Sequence, residues 1–367
     1  MTTDQLPPRA EWYDNFMSGL TKKSKYMPYF ISLGVVGVTE LGFNVWQRRK
    51  QPDLEVQSKK RLQSWIEQAE TAADAVALSG ISPRVAIVTG GNAGLGLHTS
   101  KALVEAGYRV VIACRSVKKG NEAVQTIEEQ TGIKGMTSVM TLDLSSFESI
   151  KAFSVEFKLL GLGLDLLVNN AGLMDIPFTL TTDGFESQFG VNHLGHYLLT
   201  LELLPLLHRS HHGHGRIVVL SSAAMYPSQG IPYAQLRSKP GYSRLGSYAH
   251  SKLANMLFVK ALNRRLSAAG SSVTVNAAHP GTCRTDLFSS NPIANLPNGP
   301  AKGMFRSAEV GAMGAVYLAL APELDGVSGE YFFDQIVRMP SVNALDEEQQ
   351  EMLWAKSVEY TGVDFDL

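Results

Sequence analysis

At 367 residues, 44% hydrophobic and 18% charged, the chain has the length for one large α/β domain plus an extension and the composition of a folded, core-bearing protein. A formal net charge of −1 excludes an ordinary nucleic-acid-binding protein, because phosphate contacts need a basic face. Two cysteines, Cys114 and Cys283, exclude a disulfide framework and offer no zinc-type spacing; both read as small buried thiols.

In chain order, residues 1–21 hold Asp4, Glu11 and Asp14 and lack an early apolar core. That argues against a cleavable secretory signal and against an Arg-rich, acid-poor mitochondrial transit peptide. Residues 27–46 are almost wholly apolar, with Lys22, Lys23 and Lys25 before them and Arg48, Arg49 and Lys50 after. About 20 apolar residues can span a bilayer, and Tyr26, Tyr29 and Trp46 suit its interfaces. Glu40 inside the run and Pro28 near its start oppose this, and a helix packed on the domain or on a partner is the other reading. The expectation is membrane association, with an orientation that flanking bases on both sides leave unreadable. Residues 54–78 predict an amphipathic helix, with Leu54, Leu62, Trp65, Ile66, Ala69 and Ala73 near one face. It would lie against the domain or the membrane surface. The first 80 residues thus form a helical N-terminal extension.

Beyond Arg84 short Val- and Ile-rich runs alternate with stretches of helical period. The predicted strands are Val85–Val88, Arg109–Ala113, Ser138–Leu142, Leu164–Val168, Ile217–Leu220, Val273–Ala277 and Glu330–Phe333. The predicted helices are Leu95–Glu105, Lys118–Gln130, Phe147–Leu159, Phe185–His208, Ser247–Ala268 and Ala308–Leu320. Strand–helix alternation with near-continuous apolar strands predicts a doubly wound parallel sheet of about seven strands, a Rossmann fold over residues 82–340. Residues 341–367 add a C-terminal helix and tail.

The first turn after the first strand reads Thr89-Gly90-Gly91-Asn92-Ala93-Gly94-Leu95-Gly96. A strand, a glycine turn and then a helix is the context that gives such a motif meaning. The glycines permit a tight turn and a close backbone approach, and the helix N-terminus offers unpaired N–H groups to a pyrophosphate. At the end of the second strand an NAD site would usually place an acid for the ribose 2′-OH. This chain has Arg115 and Ser116 there, followed by Lys118 and Lys119. A guanidinium would pair with a 2′-phosphate that a carboxylate would repel, so NADP(H) is the expected cofactor. Asp143, ending the third strand, reads either as an adenine neighbour or as the N-cap of the next helix.

Tyr248 and Lys252 stand at i and i+4 near the start of a long helix and so share one face. A phenol titrates near 10, and an ammonium held close favours its ionised form. The pair can then exchange a proton with a carbinol oxygen at neutral pH. Ser221 and Ser222 follow an apolar strand, at the end that faces the ligand crevice of a doubly wound sheet, where a hydroxyl can bond a substrate oxygen. Asn169-Asn170-Ala171-Gly172 ends the fourth strand in the same way. Pro280-Gly281-Thr282 closes the sixth, with Thr285 just beyond. Asn192 lies among apolar neighbours inside a predicted helix.

Together TGxxxGxG at 89–96, NNAG at 169–172, paired serines at 221–222, YxxxK at 248–252 and PG at 280–281 resemble the short-chain dehydrogenase/reductase family over roughly residues 82–335. Within it, ACRS at 113–116, VNHLGHYLLT at 191–200 and SKLANMLF at 251–258 look most like the retinol dehydrogenase-like and protochlorophyllide reductase-like branch. The resemblance implies a tetrad of Asn192, Ser222, Tyr248 and Lys252. Tyr248 would be the acid/base, Ser222 would polarise the substrate oxygen, Lys252 would hold the nicotinamide ribose, and Asn192 would anchor a relay water. Ser222 is chosen over Ser221 by alignment alone. Cofactor contacts are expected from Gly90, Asn92, Gly94, Leu95, Gly96, Arg115, Asp143, Asn169, Ala171, Gly172, Tyr248, Lys252, Pro280, Gly281, Thr282 and Thr285.

Two departures stand out: 25 residues separate Ser222 from Tyr248, implying an insertion at Pro227–Gly246, and the N-terminal extension is long. Residues 286–306, bracketed by Leu287, Phe288, Met304 and Phe305, read as a flap over an apolar substrate. His208, His211, His212 and His214 read as a solvated loop, not a metal site, and His250 points off the catalytic face. The expectation is an NADP(H)-dependent oxidoreductase of an apolar carbonyl or alcohol (retinoid, sterol or other lipid), associated with the endoplasmic reticulum membrane, or alternatively a mitochondrial one. The alternative of another class is an accessory subunit of a membrane complex that keeps the fold and a bound nucleotide. A homo-oligomer and a membrane complex both stay open, and light-driven tetrapyrrole reduction would require a bound pigment.

Overall fold

The computed structural model describes residues 82–210, 213–283 and 306–367, together with the helical residues Lys60, Gln63, Ser64, Ile66 and Glu67. The apolar run 27–46, Thr285, residues 286–305 of the expected flap, and His211 and His212 lie outside the described residues. Among the described residues no helix is long and apolar enough to cross a membrane.

The chain enters the sheet at β1 (Val85–Thr89), every residue of which is buried. There follow α1 (Gly94–Glu105), β2 (Arg109–Cys114), α2 (Val117–Thr131), β3 (Thr137–Thr141), α3 (Phe147–Leu159) and β4 (Leu166–Asn169). A helical turn at Ser187–Phe189 and a π-helical turn at Gly190–Leu194 lead into α4 (Gly195–His208). Then come β5 (Arg216–Leu220), α5 (Arg244–Ala268), β6 (Thr274–His279), α6 (Ala308–Leu320), β7 (Tyr331–Phe333), β8 (Ile336–Arg338) and α7 (Glu347–Thr361).

The eight strands run in the order β3-β2-β1-β4-β5-β6-β7-β8. All neighbouring pairs are parallel except β7 and β8. The order reverses direction between β1 and β4, and a doubly wound sheet opens its ligand crevice at the carboxyl ends beside that point. Alternate strand residues divide into two cores. Val85 and Ile87 face Phe153, Leu198 and Leu257 of α3, α4 and α5. Ala86 and Val88 face Leu103, Ile127 and Ala315 of α1, α2 and α6. Both faces of the central strands are therefore covered, which is why those strands lack polar alternation. Ile66, from the amphipathic stretch, is 6% exposed and belongs to the second core, a burial that contributes roughly 1.5–3 kcal/mol.

Three differences from the predicted elements have physical causes. The sheet gains an eighth strand through a two-residue hairpin at Asp334 and Gln335, with φ of 51° and 62°. The predicted helix 185–208 is broken into a short turn, a π turn and α4. Finally, α5 begins at Arg244 because the Ser243 hydroxyl caps it, accepting from Gly246 N. The C-terminal helix is part of the domain core: Trp354 is 4% exposed and lies under the Arg265 guanidinium, 3.9 Å from its ring centroid.

Candidate active site

Five helices of the domain begin with a side chain that satisfies their first N–H groups: Ser116, Ser146, Ser243, Ser307 and Asp346. The helix after the glycine turn does not. Its N-cap is Ala93, with no side-chain hydrogen bond and no acid in the first turn. Asn92, Ala93, Gly94 and Leu95 instead line a cleft of about 510 Å³. An exposed helix start with a positive dipole end is a place for an anion. Gly90 and Gly94 hold left-handed φ of 63° and 52°, and a Cβ on Gly96 would fall 2.6 Å from Asn170 Nδ2 and also against the Gly90 carbonyl. Gly96 thus permits α1 to close on the turn and does not itself line the cleft.

Arg115, just past the end of β2, and Lys119, in the first turn of α2, border the same cleft, both exposed. Asp143 borders it too, and its Oδ1 accepts from Ser145 N at 2.9 Å and from the Ser145 hydroxyl at 2.7 Å. The N-cap of α3 is Ser146, so the helix-cap reading of Asp143 does not hold. At the end of β4 the paired asparagines part. Asn169, 1% exposed, turns its amide onto Thr200 Oγ1 at 2.8 Å. Asn170, Ala171 and Gly172 line the cleft, and Asn170 Nδ2 donates to the Thr89 carbonyl at 2.8 Å. Strand parity explains the split: Asn169 faces α4, and of the two asparagines it is Asn170 that lines the cleft.

The far end of the cleft holds Tyr248 and Lys252, 7% and 5% exposed, with the Lys252 ammonium 5.6 Å from the Tyr248 ring centroid. Lys252 Nζ donates to the Leu220 carbonyl at 2.9 Å, and burial lowers its pKa to about 8. It is thus still charged at neutral pH. The two serines differ in their bonding. Ser221, 2% exposed, spends its hydroxyl hydrogen on the Lys252 carbonyl at 3.0 Å. Ser222 Oγ accepts from Ala224 N at 3.2 Å, which leaves its hydrogen for another acceptor. Pro280 lines the cleft at the end of β6, and Gly281 and Thr282 follow it.

Asn192, fully buried, sits in the π turn, a local widening of a helix that often marks a functional position. Its Oδ1 accepts from Leu173 N at 2.7 Å, and its Nδ2 donates to the Leu173 carbonyl and to Ser251 Oγ, each at 2.9 Å. Both amide hydrogens are committed, so the side chain fastens the loop after β4 to α5. Its backbone carbonyl meets His196 Nδ1 at 3.1 Å, and His196 Nε2 meets Thr89 Oγ1 at 2.9 Å. Burial lowers the His196 pKa to about 4, so the ring is neutral. This link between the Asn192 turn and the glycine turn was not visible in the sequence. His250 does not line the cleft, and burial lowers its pKa to about 4. Among the described residues no three His, Cys, Asp or Glu side chains are grouped to hold a metal.

A family model described as short chain dehydrogenase matches residues 84–294. The mouse protein named polyprenol dehydrogenase is 43% identical over 286 residues, covering 76% of this chain and 84% of its own. Mouse retinol dehydrogenase 14 is 39% identical over 296 residues, covering 76% and 86%. Among solved structures, an uncharacterized protein from Mycobacterium paratuberculosis superimposes with a TM-score of 0.62 at 34% identity, covering 77% of this chain and 95% of that one. The chain belongs to the short chain dehydrogenase family, in its retinol dehydrogenase-like branch. It is accordingly an oxidoreductase acting on CH–OH and C=O groups.

Proposed function

We propose that the chain uses NADP(H) to interconvert an apolar alcohol and its carbonyl at a membrane surface, with Tyr248 as the acid/base. The observation that carries this is the position of Tyr248 and Lys252 in the same cleft as the uncapped start of α1. The residues fit a nicotinamide dinucleotide. The glycine turn and free N–H groups suit a pyrophosphate, and Lys252 suits a ribose hydroxyl. Arg115 and Lys119 suit a 2′-phosphate, because two cations and no acid border the cleft between the end of β2 and the first turn of α2. When bound, the nicotinamide supplies or takes the hydride.

In the reducing direction Tyr248 gives its proton to the carbonyl oxygen as the carbon is reduced, and Ser222 donates a hydrogen bond to that oxygen as its charge grows. Ser221 lines the cleft but has spent its hydrogen on the Lys252 carbonyl, which supports its neighbour Ser222 as the donor. Lys252 favours the phenolate that results. Asn192 acts by holding Leu173 and Ser251 in place; with both amide hydrogens committed, its side chain has none left for a relay water. Oxidation of the alcohol reverses each step.

Leu173, Met174, Ile176 and Val191 give the cleft an apolar wall, and the two mouse relatives carry the names of apolar alcohols. Residues 27–46 would supply the membrane attachment, with the endoplasmic reticulum as the expected membrane and a mitochondrial one as the alternative. An accessory-subunit role gives no reason for a lysine buried at the cleft beside a tyrosine. The test is a panel of apolar aldehydes, ketones and alcohols assayed with NADPH and NADH side by side. Turnover with kcat/KM about tenfold higher for NADPH is expected; an equal or greater value for NADH would remove the cofactor assignment, and no turnover would remove the function.

A further inference from the structure

The segment between Ser222 and α5 is fastened to the cleft through one buried glutamine. Gln188 is 0% exposed and lies two residues before the π turn. Its Oε1 accepts the backbone N–H of Asp175 at 3.0 Å. Its Nε2 donates to the Tyr242 hydroxyl at 3.0 Å and to the Arg244 carbonyl at 2.8 Å. Tyr242 in turn donates to the Ile176 carbonyl at 2.8 Å, and its ring meets Phe178 edge-on with centroids 5.3 Å apart. One side chain therefore joins the loop after β4, the inserted segment and the first turn of α5, which carries Tyr248 one turn later.

The loop it holds forms the apolar wall of the cleft. Met174 and Ile176 line that wall, and Asp175 between them has a left-handed φ of 54°. Asp adopts that conformation more readily than most side chains do, and it is kept there where the surroundings impose it. The Gln188 bond to the Asp175 N–H is such a constraint. Burial, and next the neighbouring Glu186, push the Tyr242 pKa up to about 12, so its bond to Ile176 survives across the working pH range.

We propose that Gln188, acting through Tyr242, is a positioning residue that sets the Met174–Ile176 wall relative to Tyr248 and so sets the preference for long apolar substrates. The inference rests on the reading that an apolar carbonyl occupies the cleft beside Tyr248. A glutamine that merely completes the fold would, when altered, lower the yield of active protein for every substrate alike. A positioning residue changes the ratio between substrates, because a long chain uses the wall and a short one does not.

The test uses the full chain with NADPH and two aldehydes, hexanal and tetradecanal. Tyr242→Phe is expected to lower the tetradecanal-to-hexanal ratio of kcat/KM about tenfold, the scale of a few lost methylene contacts. The loss should appear as a raised KM for tetradecanal, with the hexanal kcat and the NADPH KM unchanged. Gln188→Leu should do the same to a greater extent. Should it fail to fold, Tyr242→Phe, which removes one oxygen from a half-buried ring, decides alone. An unchanged ratio, or equal losses on both aldehydes, overturns the positioning role while leaving the function standing. A wild-type chain that reduces neither aldehyde overturns both.

Discussion

A lysine ammonium that is 5% exposed has lost most of its water, and in Lys252 one bond to the Leu220 carbonyl replaces only part of it. Its pKa falls from 10.5 to about 8 through burial. Between those values the unfolded chain carries a proton that the folded chain has released, so stability from this group rises with pH through that window. Below about 8 both states are charged and the burial cost is present in full. Lys252→Met has nothing to titrate. The difference in unfolding free energy, wild type minus variant, should therefore grow between about pH 8 and pH 10, by on the order of 3 kcal/mol at most. A difference that stays flat would mean that the ammonium is better compensated than its surroundings indicate. Arg115 sets a second residue-scale expectation. Arg115→Asp places a carboxylate where a 2′-phosphate would sit, and steady-state kinetics should show the NADPH-over-NADH ratio falling ten- to a hundredfold, by about 1.4–2.8 kcal/mol of discrimination. A ratio that does not move would take the phosphate away from Arg115.

At the scale of elements, the glycine turn and α1 were legible because their chemistry is local: a strand, positive-φ glycines and a helix that starts without a cap. Gly96→Ala tests the close approach within them. Its Cβ would lie 2.6 Å from Asn170 Nδ2 and also against the Gly90 carbonyl. We expect a loss of about 1–3 kcal/mol in denaturant unfolding, together with weaker NADPH binding in a fluorescence titration. Wild-type values for both would show that the turn yields more than its packing suggests. Other elements left little trace in the sequence. The β7–β8 hairpin turns on Asp334 and Gln335, both at positive φ with no glycine, so the usual Asn-Gly or Asp-Gly signature is missing. The π turn at Gly190–Leu194 has the same apolar content as the α-helix around it, and only coordinates distinguish the two. The split between Asn169 and Asn170 follows from strand parity, which the motif as a string of letters conceals.

Across the whole molecule, the chemistry belongs to the sheet and its helices, and the proposed membrane attachment belongs to the N-terminal extension. The compact unit that contains the sheet begins at Pro52, and Ile66 is already part of its core. A chain starting at Pro52 should leave the membrane fraction and keep its kcat/KM for a water-soluble aldehyde. A chain starting at Ser82 also loses the Ile66 burial, and should be less stable than the first by roughly 1.5–3 kcal/mol. Membrane recovery that persists without residues 1–51 would move the attachment elsewhere.

The central claim is that Tyr248, oriented by its setting beside Lys252, transfers the proton. Tyr248→Phe removes one oxygen and keeps the ring in its 7%-exposed place. The account predicts that the variant binds NADPH as the wild type does while its kcat for an apolar aldehyde falls by about 10²- to 10⁴-fold. Wild-type turnover by a variant that still binds NADPH would contradict it.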